Sequence, residues 1–247
     1  MPIISKYKPI GFTPLQLINL VRKEYNLPNE KISYVGRLDP MAHGLMVLLV
    51  GEDRKKQEIH QKYDKVYQFQ ILFGIKTDTY DILGKIINNE ISNPNISSIQ
   101  EICHQLIGKL IQPFPPYSAI MVNKKPLWSW AKEGKLDQIT IPKKEINIYN
   151  LEILESSTLT WIQVQEIVKD RISKLDSKYD FRQDDILLDW HKLIAGNYLV
   201  VTCQAKVSSG TYIRSLANLI GEKLNTSAIA FDILRKQVGD YYLPLEN

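Results

Sequence analysis

At 247 residues, 44% hydrophobic and 23% charged, the chain has the composition of an ordinary globular protein with apolar side chains enough for a sizeable core. Its longest apolar run, Leu45–Val50, is strand-sized and too short to span a bilayer, and Met1–Lys6 lacks the apolar stretch and cleavage site of a secretory signal. The net charge of +4 is uneven: Glu155–Gly196 holds eight acids against six bases, so the remainder carries +6 and can present a positive face to phosphate.

Thr13-Pro14-Leu15-Gln16 announces the first helix. Thr13 suits the N-cap, Pro14 the first helical position and Gln16 the return bond of a capping box, after which Leu17, Ile18, Val21 and Tyr25 recur at helical spacing. Gly36-Arg37-Leu38-Asp39-Pro40-Met41-Ala42-His43-Gly44 follows. Proline holds the Asp39 backbone extended, and glycines on either side permit a tight loop. As a pair Asp-Pro is a turn signal; as a carboxylate held at the head of the buried strand Leu45–Val50 it also has the setting of an active-site group.

In Lys65–Phe73 the residues Tyr67, Phe69, Ile71 and Phe73 share one strand face. Tyr67 can be a core tyrosine, or a ring on which a base stacks with a hydroxyl in reach of chemistry. A second helix is predicted from Ser98 and Glu101 through Leu106, ending near Gly108. Met121–Tyr149 interleaves Lys124, Lys125, Lys132, Lys135, Lys143 and Lys144 with Trp128, Trp130 and Tyr149, a pattern that suits RNA as well as a solvated face. Ser156–Gly196 reads as a helical hairpin, with Trp161, Val164, Val168, Ile172 and Leu175, then Leu187, Trp190 and Ile194, at helical spacing and Gly196 as its C-cap.

Leu199, Val201, Cys203, Ala205 and Val207 line one face of a strand over Asn197–Val207, and Ser208–Thr211 leads into a helix with Ile213, Leu216, Ala217, Ile220 and Leu224 buried. Arg214 falls in its first turn, where the helix dipole disfavours a cation by about 0.3–1 kcal/mol, so a nearby carboxylate is expected. The two cysteines, Cys103 and Cys203, sit on apolar faces and are expected as reduced thiols in a cytoplasmic protein; no Cys/His cluster has zinc spacing, and no metal is expected. Strands and helices mix without strict βαβ alternation, which predicts an α+β fold with a mixed, mainly antiparallel sheet flanked by helices.

Six segments together resemble one family. Lys8–Thr13 is similar to its KPxGxTS motif, Gly36–Gly44 to its GxLDPxAxG loop, and Lys65-Val66-Tyr67 with Thr77–Asp81 to KxY and TDTxD. Pro115–Ala119 is similar to PPxxSA, Ser209–Leu216 to GTYIRxL, and Leu234–Gly239 to LRRxxVG. In this order, across nearly the whole chain, they resemble the TruB family of tRNA pseudouridine synthases. The resemblance implies the pseudouridine synthase fold and isomerisation of a uridine, the one at position 55 in the tRNA T-loop, without a cofactor. It makes Asp39 the catalytic aspartate, Tyr67 the base-stacking tyrosine and Arg214 the aspartate's partner. The alternatives are a synthase for another RNA and a non-catalytic RNA-folding protein on the same scaffold.

The pattern departs from the family at Tyr34, where a histidine is usual, at Met121 in place of a lysine, and at Arg37 in place of a small residue. Lys8, Tyr34, Arg37, Lys124, Lys125 and Lys132 are expected to face RNA, the tRNA T-arm in particular. The remaining expectations are a monomer with no membrane contact, one catalytic domain over residues 1–247 with 156–196 as a helical insertion, and no C-terminal RNA-binding (PUA) domain.

Overall fold

The structure, a computed structural model, describes residues 3–243. Thr13 caps the first helix as its sequence requires: its side chain accepts from the Gln16 amide while the Gln16 side chain accepts from the Thr13 amide. The first part of the chain runs β1 (Ile3–Lys8), α1 (Pro14–Glu24), β2 (Ile32–Tyr34), β3 (Ala42–Val50), α2 (Gln57–Gln61) and β4 (Lys65–Phe73). Next come β5 (Ile75–Thr77), β6 (Ile86–Asn89), α3 (Ile96–Gln105), β7 (Gly108–Pro113), β8 (Met121–Val122), β9 (Lys125–Pro126) and α4 (Leu127–Lys132). The last part is β10 (Lys143–Thr160), α5 (Trp161–Ser173), α6 (Gln183–Trp190), β11 (Asn197–Val207), α7 (Ile213–Lys223), β12 (Ala228–Val238) and β13 (Tyr241–Tyr242).

One nine-stranded sheet has the path β1-β3-β12-β4-β11-β10-β7, with β2 on β3 and β13 on β12. Within it β3 and β12 run parallel and the other neighbours antiparallel, the mixed sheet expected of an α+β fold. The period-2 alternation of the central strands sorts their side chains onto two faces. Phe69, Ile71, Val201 and Cys203 pack with Leu17, Ile99 and Leu216 of α1, α3 and α7. Leu72, Val200, Tyr198 and Phe231 pack with Val164, Val168, Ile186 and Trp190 of α5 and α6. Cys103 and Cys203 are both free and buried.

Three boundaries differ from the sequence reading. The second helix starts at Ile96, because the Asn95 side chain accepts from the Ser97 amide and caps it three residues ahead of Ser98. The excursion starts at Trp161, since Ser156–Thr160 remain paired with β11 as the end of β10. Gly196 is no helix cap: α6 ends at Trp190, and the Gly196 carbonyl instead accepts from the Trp161 amide at 3.0 Å, closing the base of the excursion. Ile194, expected on the buried stripe, is exposed.

Strand register assembles the site. Gly44, Arg235, Tyr67 and Ala205 lie side by side on β3, β12, β4 and β11. A Cβ on Gly44 would stand 2.4 Å from the Arg235 carbonyl oxygen, and its φ is +104°, so glycine is what lets the head of β3 close on β12.

Candidate active site

The Gly36–Met41 loop enters β3 and is held through its backbone. Arg235, fully buried, donates from Nε to the Leu45 carbonyl at 2.7 Å and from Nη1 and Nη2 to the Gly36 carbonyl at 3.2 and 3.1 Å. From the other side the equally buried Lys8 donates to the carbonyls of Phe12 and Pro9 at 2.7 and 2.9 Å and of Pro40 at 3.4 Å. Burial pulls the Lys8 ammonium down to about 7, against the opposing field of Asp39.

This frame presents Asp39, 29% exposed, to Arg214, whose Nε donates to Asp39 Oδ2 at 2.7 Å. Arg214 also donates from Nη1 to the Thr79 carbonyl at 2.6 Å and from Nη2 to that of Tyr117 at 3.3 Å, so its plane is fixed at three points. The carboxylate that the helix start demanded is therefore present. A second one, Asp81, stands 3.5 Å from Arg214 Nε. Its Oδ1 accepts from Thr79 Oγ1 at 2.6 Å and from the Leu83 amide at 3.0 Å, and burial raises its pKa against the pull of Arg214.

Asp39, Arg214 and Tyr67 share the lining of one cleft of about 1040 Å³. Tyr67 is nearly buried there. Phe114 and Tyr212, edge to face at 5.7 Å between ring centres, belong to the same wall, and Tyr179 and Phe181 of the α5–α6 connection, with Trp128 of α4, line it as well. Such a space takes a nucleotide-sized ligand with an aromatic surround.

The expected RNA-facing residues separate. Arg37 is exposed on the cleft, and Lys132 lines it while paired with Asp180 at 2.7 Å. Lys8 corrects the expectation: with no exposed surface and its ammonium enclosed by carbonyls, it holds the loop and cannot reach a phosphate. Tyr34 packs partly buried against the core from β2 and is not on the cleft lining. Lys124 occupies the turn between β8 and β9 with φ +63°, also off the lining. Lys125 pairs with Glu133 and lies 4.5 Å over the Trp130 ring.

Sequence reasoning missed Arg235, Asp81 and the Asp78–Arg182 pair. Arg182 Nη1 and Nη2 donate to Asp78 Oδ2 and Oδ1 at 2.6 and 3.2 Å, and the guanidinium lies 4.5 Å over the Tyr117 ring, tying the excursion to the cleft wall. The signal for Arg235 and Asp81 was present, since both stand inside motifs quoted for the family resemblance.

A carboxylate–guanidinium pair in an aromatic-walled cleft, on this mixed sheet, is the arrangement of a pseudouridine synthase. Residues 22–169 match the TruB family pseudouridylate synthase (N terminal domain). The chain is 31% identical to the tRNA pseudouridine synthase B of Fusobacterium nucleatum, covering 98% of this chain and 69% of that protein. It is 29% identical to that of Caldanaerobacter subterraneus, over 97% and 69%, and to that of Thermotoga petrophila, over 97% and 63%. Its fold is similar to a chain in a solved Cbf5–Nop10–Gar1 complex, TM-score 0.61 at 18% identity, covering 98% of this chain and 50% of that one. A chain in an H/ACA ribonucleoprotein bound to substrate RNA gives 0.58 at 16%, covering 98% and 48%. The chain thus spans about half the length of these solved chains and 63–69% of these curated relatives. It belongs to the TruB family of pseudouridylate synthases, isomerases of RNA uridine.

Proposed function

We propose that this chain converts a uridine in the T-loop of tRNA, the one at position 55, to pseudouridine, with Asp39, Arg214 and Tyr67 as its working residues. The observation that carries the reading is the 2.7 Å Arg214–Asp39 pair in the cleft that Tyr67 also lines. The names of the curated relatives support tRNA as the substrate. The reading takes the chain as a monomer whose partner is RNA, and two free buried thiols suit a reducing cytoplasm.

In this isomerisation the C1′–N1 bond breaks, uracil turns, and a C5–C1′ bond forms; C5 gives up its proton and N1 gains one, so no co-reactant is consumed. Glycosidic cleavage develops positive charge at C1′, and Asp39 supplies the carboxylate that meets it. Arg214 fixes that carboxylate's orientation through Oδ2. The uridine has to leave the RNA stack, at a cost of a few kcal/mol that stacking on Tyr67 and the surrounding rings offsets. A walled cleft also keeps water from the detached base.

Tritium release from 5-tritiated uridine in tRNA transcripts tests the reading, followed by mapping of the modified position. Release without free uracil is expected. Free uracil would indicate a hydrolase, and no release from any tRNA would end the assignment.

A further inference from the structure

The loop Ser208–Tyr212, between β11 and α7, is stitched to its neighbours. Ser208 donates its amide to the Asn147 carbonyl at 2.8 Å and accepts the Asn147 amide at Oγ at 2.8 Å. Gln112 accepts the Tyr212 amide at 2.8 Å and donates to the Tyr212 carbonyl at 3.1 Å. Across this fixed loop runs Lys144 of β10. Its Nζ donates to the Ser209 carbonyl at 2.8 Å, and a Cβ built on Gly210 would stand 2.0 Å from that same Nζ. A Cβ at Gly210, here at φ +83°, would push the flexible end of the lysine off this path.

Lys144 reaches the cleft lining that also includes Arg37, Lys62 and Lys65. Lys65 is turned into backbone, donating to the carbonyls of Gln61 and Tyr63. The carboxylates on the lining are Asp39 and Asp81, both beside Arg214, then Asp180, paired with Lys132, and Glu58. Among the described residues Lys144, Arg37 and Lys62 have no carboxylate within ion-pair distance. Lys144 differs from the other two in being ordered beforehand: one of its three donors is anchored on Ser209, which lowers the entropy lost when the others engage an anion.

We propose that Lys144, carried over Gly210, is a substrate-binding residue that takes an RNA phosphodiester flanking the uridine held at Asp39 and Tyr67. The inference rests on the RNA reading above and deepens it: among the cations of the cleft, it singles out one prepositioned ammonium as a backbone contact.

The test measures binding of a tRNA transcript by fluorescence anisotropy over a salt series, with kcat and KM from tritium release. Lys144→Gln should raise Kd and KM about tenfold at moderate salt and flatten the log–log salt slope by about 0.7–1, with kcat within about twofold. Lys144→Arg should recover most of the loss, since a phosphate accepts from either cation. Gly210→Ala should copy Lys144→Gln in the otherwise unchanged protein and add little in the Lys144→Gln background. Lys109→Gln, on exposed β7, is the control and should change none of these. Unaltered Kd and salt slope in Lys144→Gln would overturn the proposal, as would a fall in kcat alone, which marks a mere loop tether. Equal costs of Gly210→Ala in both backgrounds would show that the glycine serves φ and not the lysine, and would also overturn it. Absence of turnover in the unsubstituted protein would instead refute the uridine reading itself.

Discussion

The two walls of the cleft are built on opposite principles. The Asp39 wall is held from inside: Arg235 and Lys8, both without exposed surface, grip the carbonyls of Gly36, Leu45, Pro9, Phe12 and Pro40. The other wall, where Tyr179 and Phe181 approach from the excursion, is held by the half-buried fork of Arg182 on Asp78 and, from outside, by the exposed pairs Lys132–Asp180 and Lys85–Asp185. Buried cations caged by carbonyls are expensive to disturb, because removing one strands several acceptors at once. Exposed ion pairs exchange readily with water, salt or a phosphate. On the proposed reading, the chemistry therefore sits on the wall held by buried cations, and RNA meets the wall where two of the three ties are exposed.

The largest expected break lies on the rigid wall. Asp39→Asn keeps the loop's shape and removes the charge, so turnover should fall by at least about a thousandfold while RNA affinity stays within about threefold. Tritium release by this variant near the unsubstituted rate would remove Asp39 from the chemistry. Arg235→Met should follow. Leaving the Gly36 and Leu45 carbonyls without their donor is expected to cost about 3 kcal/mol or more in urea unfolding and to lower kcat as Asp39 loses its frame. Arg235→Lys should recover part of the stability but little of the rate, lacking the fork that serves two carbonyls at once. A fully active Met variant would show that the loop keeps its shape unaided.

Lys8 sharpens the comparison through pH. Burial lowers its folded-state pKa to about 7 from 10.5. Between those values the unfolded chain binds more protons than the folded one, so this lysine makes stability rise with pH from about 7 upward, by at most about 1.4 kcal/mol per pH unit. Lys65, lowered to about 8 chiefly by burial, acts in the same direction over a narrower window. Urea midpoints at pH 7 and pH 9 should therefore separate the unsubstituted protein from Lys8→Met, the variant gaining less. A parallel response of the two proteins would mean that Lys8 stays protonated in its cage.

How far the sequence reveals this contrast depends on distance along the chain. The capping box at Thr13–Gln16, the Asp39-Pro40 turn and the alternation of Tyr67, Phe69 and Ile71 are local patterns, and the structure repeats them. Arg214 announced a missing carboxylate by its place in a helix's first turn, and Asp39 stands there. The grip of Arg235 on Gly36 could not be read, because nothing near either residue encodes a partner almost the whole chain away. Lys8 misleads for the same reason: a lysine among Pro, Ile and Gly looks like surface until the carbonyls that enclose it are in place. Ser156–Thr160 continue a strand although mostly polar, since both faces of β10 are exposed over Ser156–Thr158 and pairing with β11 needs no apolar signal.

The smallest expected effect probes the yielding wall. Lys132 and Asp180 are 46% and 71% exposed, so their 2.7 Å contact is solvated and adds little to the fold. Asp180 Oδ1 also accepts from the Arg182 amide at 3.0 Å, a bond the amide oxygen of asparagine can keep. Asp180→Asn should thus leave the melting temperature within about a degree. It should also free Lys132 and remove a negative charge from a cleft proposed to take RNA phosphate, so RNA should bind about two- to threefold tighter at low salt, the gain fading as salt screens it. This gain contrasts with the losses of rate and stability expected of the Asp39 and Arg235 changes. Anisotropy titrations at two ionic strengths decide the matter. Weaker binding in Asp180→Asn would mean that the pair orders Tyr179 and Phe181 for the RNA, and that the excursion belongs with the rigid wall after all.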